Sequence, residues 1–338
     1  MVDPAICRKK AELQKSTFPS NIFLKTLYKD NDINLINEKI QSYKSDNQYD
    51  DIFSKIKEQF EKIRVEIREY YNDDEAIFCR NLNYYFDLLN ATIISTNVLP
   101  KDIKDKLIGK VEELWKQALM VKNIYVCIRE KTLDSIRKRS ILKQLNDLSM
   151  DAVYIKINLE EYKNYLVEKW NKIVSYTDTQ LGGLYIKVEN DSMGIIDKYN
   201  DFLFSPEYIC EGSLDKLNID DITISTDVNS FVNTISLDNL SPNKTQGACY
   251  NKSYIDMLKT KTSSIQKMNN LLSIGIVLLG FSLILILLFN FSPLGGFLRR
   301  FAKKKIKVDE NMSEEVMSGL YDDSENERPY IAYHSVSH

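Results

Sequence analysis

Histidine is almost absent from this 338-residue sequence: His334 and His338 are the only two, and both lie near the C-terminal end. The rest of the chain therefore offers no histidine for a zinc site or for a Ser-His-Asp triad. An excess of charge of one sign is also missing, because 45 basic and 48 acidic side chains give a net charge of −3. This balance provides no general attraction to nucleic acid.

Motifs that place a nucleotide, a metal or a catalytic nucleophile are missing as well. The sequence contains no G-x-G-x-x-G, no G-x-x-x-x-G-K-[S/T], no H-E-x-x-H and no G-x-S-x-G. Its five cysteines stand singly, without the C-x-x-C spacing of zinc and redox sites. We therefore predict that the protein is not an enzyme, carries no cofactor or metal, and binds neither nucleic acid nor a small-molecule substrate.

The strongest positive signal is the run LLSIGIVLLGFSLILILLFNF, residues Leu271–Phe291, which carries no charged side chain. As a helix with a rise of ~1.5 Å per residue it would be about 31 Å long. This length matches a hydrocarbon core of ~30 Å, in which a helix satisfies its own backbone hydrogen bonds. The run predicts one C-terminal transmembrane helix over residues 271–291, in preference to a buried core helix.

Basic residues flank this run unequally. The basic cluster that follows it consists of Arg299, Arg300, Lys303, Lys304, Lys305 and Lys307. Only Lys259, Lys261 and Lys267 precede it within a similar distance. The positive-inside rule then makes residues 292–338 a cytoplasmic tail, with the basic cluster beside the inner leaflet. There it either attracts anionic lipid or simply anchors the span.

The N-terminal 20 residues contain no apolar stretch of the kind found in a cleaved leader. We therefore expect the apolar run itself to direct the chain to a membrane, with the residues before it on the outer side. The alternative is a tail-anchored arrangement in which the N-terminal part faces the cytosol.

Residues 1–175 predict a helical, cysteine-containing ectodomain. Apolar residues recur at steps of three and four in five segments, which cover residues 52–70, 79–93, 103–121, 133–148 and 159–173. No alternating strand pattern competes with them. We therefore predict an all-α fold, with a helical bundle-like ectodomain and one C-terminal transmembrane helix. A coiled coil over residues 50–71 is the alternative for the first segment.

Residues 176–270 differ in composition, since Ser, Thr, Asn and Asp dominate and periodicity is weak. This pattern predicts a polar stalk that ends in a juxtamembrane helix over 254–270. A loop packed on the bundle is the alternative.

Two short clusters on the predicted helices resemble binding surfaces. Tyr84, Tyr85 and Phe86 could stack nucleic-acid bases, but aromatic residues on a helix are more often part of a core. Arg137–Arg139 form a basic run, which we predict to be a solvated helix face rather than a binding site.

All five cysteines precede the apolar run: Cys7, Cys79, Cys127, Cys210 and Cys249. They are candidates for structural disulfides, as expected of a domain in an oxidising compartment. An odd number leaves at least one unpaired within a monomer, and the sequence does not determine the pairing. The alternative is that Cys79 and Cys127, which lie on apolar stretches, are buried free thiols.

Several segments resemble the Plasmodium interspersed repeat (PIR) family, which includes the vir variant antigens of malaria parasites. The similarity lies in the apolar run followed by FSPLGGFLRR (Phe291–Arg300), a lysine run, an acidic stretch and ERPYIAYHSV (Glu327–Val336). Upstream, FCRNLNYYFDLL (Phe78–Leu89) is similar to the family's cysteine-centred motif. The resemblance is most specific after Leu271, and it assigns no catalytic residue.

The resemblance implies a multigene variant antigen that is exported to membranes or to the surface of the infected erythrocyte. We therefore expect a single-pass protein whose partners are the lipid bilayer and host cell-surface receptors or antibodies. Its ectodomain would vary at exposed positions while the core residues keep the fold. The alternative function is an internal membrane-anchored scaffold that recruits partners through a cytosol-facing helical domain.

Overall fold

The computed structural model describes residues 15–22, 33–45, 48–70, 75–120, 127, 129–180, 182–208, 214, 217–237, 249–291, 295–297, 299–301 and 303–304. The chain divides into two compact units, Met1–Lys261 and Thr262–His338. The described residues are mostly helical, and a small sheet accompanies the helices in the first unit.

Along the chain, a helical part is followed by a strand-rich part and then by one long helix. The α-helices are α1 (Ile33–Gln41), α2 (Tyr49–Tyr70), α3 (Glu75–Ser95), α4 (Lys101–Met120), α5 (Leu133–Met150), α6 (Ala152–Ile157), α7 (Leu159–Thr177), α8 (Tyr199–Phe204), α9 (Phe231–Thr234) and α10 (Lys252–Phe291). The strands are β1 (Tyr185–Asn190), β2 (Met193–Lys198), β3 (Ile222–Ser225) and β4 (Cys249–Tyr250). Short 3-10 turns cover Lys15–Thr17, Ile219–Asp221 and Val228–Ser230.

The five predicted helical segments correspond to α2, α3, α4, α5 and α7, so the helical character of the N-terminal part is confirmed. Tyr84, Tyr85 and Phe86 are buried, as predicted for core residues. The periodicity was sufficient here because each helix is long enough to repeat its apolar stripe several times.

Helix α3 lies between two hydrophobic cores. Its residues Phe86 and Leu89 belong to a first core built with α1, α2 and α4, while Tyr84 and Ala91 belong to a second core built with α5, α7 and the sheet. The polar residue Asp87 lies between these faces and is buried too. A helix covered on both sides has no solvated face left, so its polar residues need partners inside the protein.

The sheet corrects the all-α prediction. Its strand order is β3-β1-β2-β4, in which β1 pairs antiparallel with both β2 and β3, and β4 runs parallel to β2. Ile186 and Val188 of β1 and Ile195 of β2 are fully buried in the second core. These strands have four to six residues, or only two in β4, so their alternation is too short to stand out among polar neighbours.

Residues 176–270 do not form the predicted stalk in the part that the structure describes. Tyr199, Phe202 and Leu203 are fully buried in the second core. Phe231 and Tyr254 form a smaller core cluster with neighbouring apolar residues. Well-separated apolar residues therefore pack the described part of residues 176–261 into the first unit. Helix α10 contains both the predicted juxtamembrane helix and the apolar run.

Candidate functional site

The apolar half of α10 is the most conspicuous surface of the described chain. Its large apolar side chains between Leu271 and Phe289 are 42–69% exposed. Leu, Ile, Val and Phe make up most of this half of the helix, and no charged residue interrupts it. The helix is long enough and apolar enough to cross a membrane.

The first turns of α10 are fixed to the sheet by Tyr254. Its hydroxyl donates to Oε1 of Glu189 at 2.6 Å, and its ring lies over β2. A Cβ at Gly194 would come 2.5 Å from Cδ1 of Tyr254 and 2.6 Å from Cδ1 of Tyr250, so a side chain at this position does not fit. Asn251 caps the helix by accepting from the backbone N–H of Tyr254 at 3.0 Å.

The predicted basic cluster lies partly within the described residues. Arg299, Arg300, Lys303 and Lys304 occupy helical residues and are exposed. The guanidinium of Arg299 lies over the ring of Phe289, 5.2 Å from its centroid. Lys305 and Lys307 lie outside the described residues.

The structure joins Cys79 to Cys127 in a disulfide, with 5.1 Å between their Cα atoms. These two cysteines are therefore not the free thiols of the alternative interpretation. Cys249 is disulfide-bonded as well, while Cys7 and Cys210 lie outside the described residues. The Cys79–Cys127 bond ties α3 to the segment that leads from α4 into α5, across 48 residues of sequence.

A buried charge cluster, which we call the Asp87 cluster, lies next to this disulfide. Arg139 of α5 donates from Nε and Nη2 to the Asp87 carboxylate at 3.0 and 2.9 Å. Arg129, two residues after Cys127, also donates to Asp87 and reaches Glu112 of α4 at 3.0 Å. The side chains of these four residues are at most 8% exposed.

Two guanidinium groups thus face two carboxylates at the junction of α3, α4 and α5. Asn90 adds a further hydrogen bond by donating from Nδ2 to Glu112 at 2.9 Å. Pairing of this kind compensates the cost of removing the charges from water, and it fixes which helix faces meet. No sequence motif announces this cluster, because its partners are 17 to 52 residues apart.

The prediction for Arg137–Arg139 is wrong in part. Arg139 is buried in the Asp87 cluster, and Arg137 donates from Nε to the carbonyl oxygen of Thr177 at 2.9 Å. This carbonyl is at the end of α7, where a cation is favoured by the helix dipole. Lys138 pairs with Asp134 near the surface at 3.2 Å. Two of the three basic residues in this run therefore form contacts inside the protein, and the third pairs near the surface.

A second buried charge cluster, the Asp147 cluster, joins α5 to α7. Lys143 donates from Nζ to both carboxylate oxygens of Asp147, at 2.6 and 2.7 Å, and Lys169 donates to the same carboxylate. Both ammonium groups lie over the ring of Tyr84, at 5.4 and 5.6 Å from its centroid. All three charged side chains are at most 3% exposed.

Lys143 and Lys169 share one carboxylate, and their pKa values shift in opposite directions. Burial, together with the charge of Lys169, lowers the pKa of Lys143 to about 8 despite the attraction of Asp147. Burial opposes the charge of Lys169 too, but Asp147 and the surrounding tyrosines hold its pKa well above the ordinary value. The pKa of Asp147 is lowered, since its two ammonium partners outweigh the effect of burial.

These two clusters join helices of the first unit through paired, buried charges. The charged groups are paired and buried, so a ligand in the solvent does not reach them. Among the described residues, no group of three or more His, Cys, Asp or Glu side chains is arranged to hold a metal ion. In the part of the chain that the structure describes, solvated helix faces of the first unit and exposed apolar and basic side chains of the second are open to contact.

No protein-family model, curated protein or solved structure matches this chain.

Proposed function

We propose that the protein is a single-pass membrane protein that displays its helical, disulfide-bonded unit on the outer side of a membrane. Residues 271–291 of α10 cross the bilayer once, and the basic cluster after them lies on the cytoplasmic side. The exposed apolar surface of α10 is the observation that carries this proposal.

The energetics of that surface support membrane insertion. Fifteen Leu, Ile, Val and Phe side chains lie between Leu271 and Phe289. Full burial of such a side chain is worth about 1.5–3 kcal/mol. Their partial exposure in water thus costs roughly 20 kcal/mol in total, which exceeds the ~5–15 kcal/mol of net stability of a typical domain. A bilayer removes this cost.

The disulfides support an outward orientation for the first unit. Both Cys79–Cys127 and the bond of Cys249 precede the span. Such bonds persist in oxidising compartments and are rare in the cytosol. The excess of basic residues after the span points the same way.

The function that fits this arrangement is display for host-receptor or antibody contact, with antigenic variation at exposed positions. The two cores and the two buried charge clusters fix the helices from within, so solvated positions can vary at little cost in stability. The resemblance to the PIR family adds export to the infected erythrocyte. The membrane-anchored scaffold with a cytosol-facing helical unit is the alternative.

Membrane integration is tested by alkaline carbonate extraction of the full chain from isolated membranes. We expect the unsubstituted chain to stay in the pellet. A variant with Leu278→Arg, Phe281→Arg and Leu285→Arg should become extractable, because each central arginine costs about 2.5–3.5 kcal/mol on insertion scales. A matched variant with Leu278→Met, Phe281→Leu and Leu285→Met should behave like the original chain. Extraction of the unsubstituted chain would refute the span.

Orientation is tested separately, with epitope tags at both ends of the chain and protease treatment of intact infected cells. We expect the N-terminal part to be digested and the C-terminal tag to be protected. Survival of both ends would instead support the internal scaffold, and digestion of the tail alone would mean that the orientation is inverted.

A further inference from the structure

Gly295 lies close to the last turns of α10. Gly295 contacts the carbonyl oxygen of Phe289, and a Cβ at position 295 would overlap that oxygen. In a helix that continued straight, residues six apart would be separated by about 9 Å along the axis. The helical residues 295–297, 299–301 and 303–304, which we call the tail segment, are therefore not a continuation of α10.

The tail segment combines two exposed aromatic rings with exposed basic side chains. Phe297 and Phe301 are four residues apart, and their ring centroids are 5.0 Å from each other. They are 61% and 59% exposed. At ~100° per residue, Arg299 and Lys303 fall on the opposite side, Arg300 falls beside the aromatic side, and Lys304 falls next to Phe297. Exposed aromatic rings with basic side chains around them are typical of helices that lie in a membrane interface.

The position of the tail segment favours a lipid surface as its partner. Gly295 is the fourth residue after Phe291, the end of α10, so the segment begins at most about 14 Å from the end of the span. The contact between the Arg299 guanidinium and the ring of Phe289 also connects the tail segment to α10. Charge complementarity selects anionic headgroups, because Arg300, Lys303 and Lys304 are exposed and of one sign.

We propose that the tail segment docks on the anionic leaflet that adjoins the span, with Phe297 and Phe301 between the headgroups and the basic residues against their phosphate and carboxylate groups. This inference rests on the proposed function, since it requires α10 to be in the bilayer. It goes beyond anchoring, because it makes the segment a sensor of lipid charge: docked on an anionic leaflet and released from a neutral one.

The test uses the full chain, reconstituted in vesicles of phosphatidylcholine alone or of phosphatidylcholine with phosphatidylserine. A Phe301→Trp variant reports the tail segment, and a Phe281→Trp variant reports the span. The signal of the unsubstituted chain, which contains Trp115 and Trp170, is subtracted. Bromine-labelled acyl chains quench a tryptophan in lipid, and iodide quenches one in water.

With phosphatidylserine present, we expect the tryptophan at position 301 to be quenched by brominated lipid and protected from iodide. In phosphatidylcholine alone it should be open to iodide. Neutralisation by Arg300→Gln, Lys303→Gln and Lys304→Gln should lower the ratio of docked to released segment about fivefold per residue. Higher salt should act in the same direction. The matched control, Lys252→Gln, Lys259→Gln and Lys267→Gln, removes the same charge before the span and should change nothing at position 301.

Equal iodide access in both kinds of vesicle, with the tryptophan at position 281 quenched by brominated lipid, would overturn the inference and leave the span intact. Persistence of the phosphatidylserine effect in the neutralised variant would overturn the role of charge. If the tryptophan at position 281 is itself open to iodide, the proposed function fails first and the inference fails with it.

Discussion

Removal of the Cys79–Cys127 disulfide is the most informative perturbation of the helical unit. The bond closes a loop across 48 residues. In the loop-entropy model, a loop of this length makes the bond worth about 4 kcal/mol at 25 °C. That is a large share of the ~5–15 kcal/mol expected for a whole domain. We therefore expect the variant Cys79→Ala with Cys127→Ala to lose about 4 kcal/mol of unfolding free energy.

The assay is urea unfolding of the full chain in detergent micelles, followed by tryptophan fluorescence. Trp115 belongs to the first core and Trp170 to the second, so both cores contribute to the signal. Substitution is preferable to a reducing agent, because Cys249 is disulfide-bonded too and would also be reduced.

The single variants Cys79→Ala and Cys127→Ala provide the decisive comparison. Either one breaks the bond, so each should cost about as much as the double variant, and the two losses should not add. Small losses that add up in the double variant would mean that the thiols are not joined. That result would refute the reasoning and would also weaken the argument for an oxidising compartment.

Three further predictions concern the packing of the first unit. Arg129→Met should cost about 3–5 kcal/mol in urea unfolding, because it leaves the buried carboxylate of Glu112 without a cation. Gly194→Ala should destabilise the sheet, since its Cβ would collide with Tyr254, whereas Gly109→Ala, in open space on α4, should stabilise by about 0.5–1 kcal/mol. Lys143 should make stability rise between pH 8 and 10.5. Burial lowers its folded-state pKa from the ordinary value of 10.5 to about 8, so the unfolded chain binds more protons in that window.

Each of these predictions has a result that would contradict it. Glu112→Gln added to Arg129→Met should recover part of the loss, and no recovery would mean that the carboxylate was not left uncompensated. Equal effects of alanine at Gly194 and Gly109 in thermal unfolding would exclude the predicted collision. For Lys143, the control is Lys143→Met: an unchanged rise of stability with pH in that variant would assign the effect to another group.

The local parts of the fold were readable from the sequence. The helices with the longest apolar stripes, such as α2 and α4, were predicted with boundaries close to those observed. The long apolar helix could be predicted too, because twenty-one consecutive uncharged residues form a helix long enough and apolar enough to cross a membrane. In each case the information lies within one segment, where spacing and hydrophobicity are sufficient.

The strands and the buried charges were not readable, because they depend on partners far away in sequence. Ile186 and Val188 form a strand only against β2 and β3, and a four-residue alternation carries little weight alone. The sequence predicts a solvated Arg139, whereas in the folded chain its guanidinium donates to Asp87 of α3. A basic side chain in a helix has the same local sequence whether it meets water or a carboxylate.

The helical character of the N-terminal part, the apolar run and the unequal basic flanks follow from residues close together in the chain, so they can be predicted without a structure. The Cys79–Cys127 pairing, the buried cations around Asp87 and Asp147, and the sheet of β1–β4 are visible only in the folded chain. Burial and pairing depend on neighbours in space, and folding brings those neighbours together from distant parts of the chain.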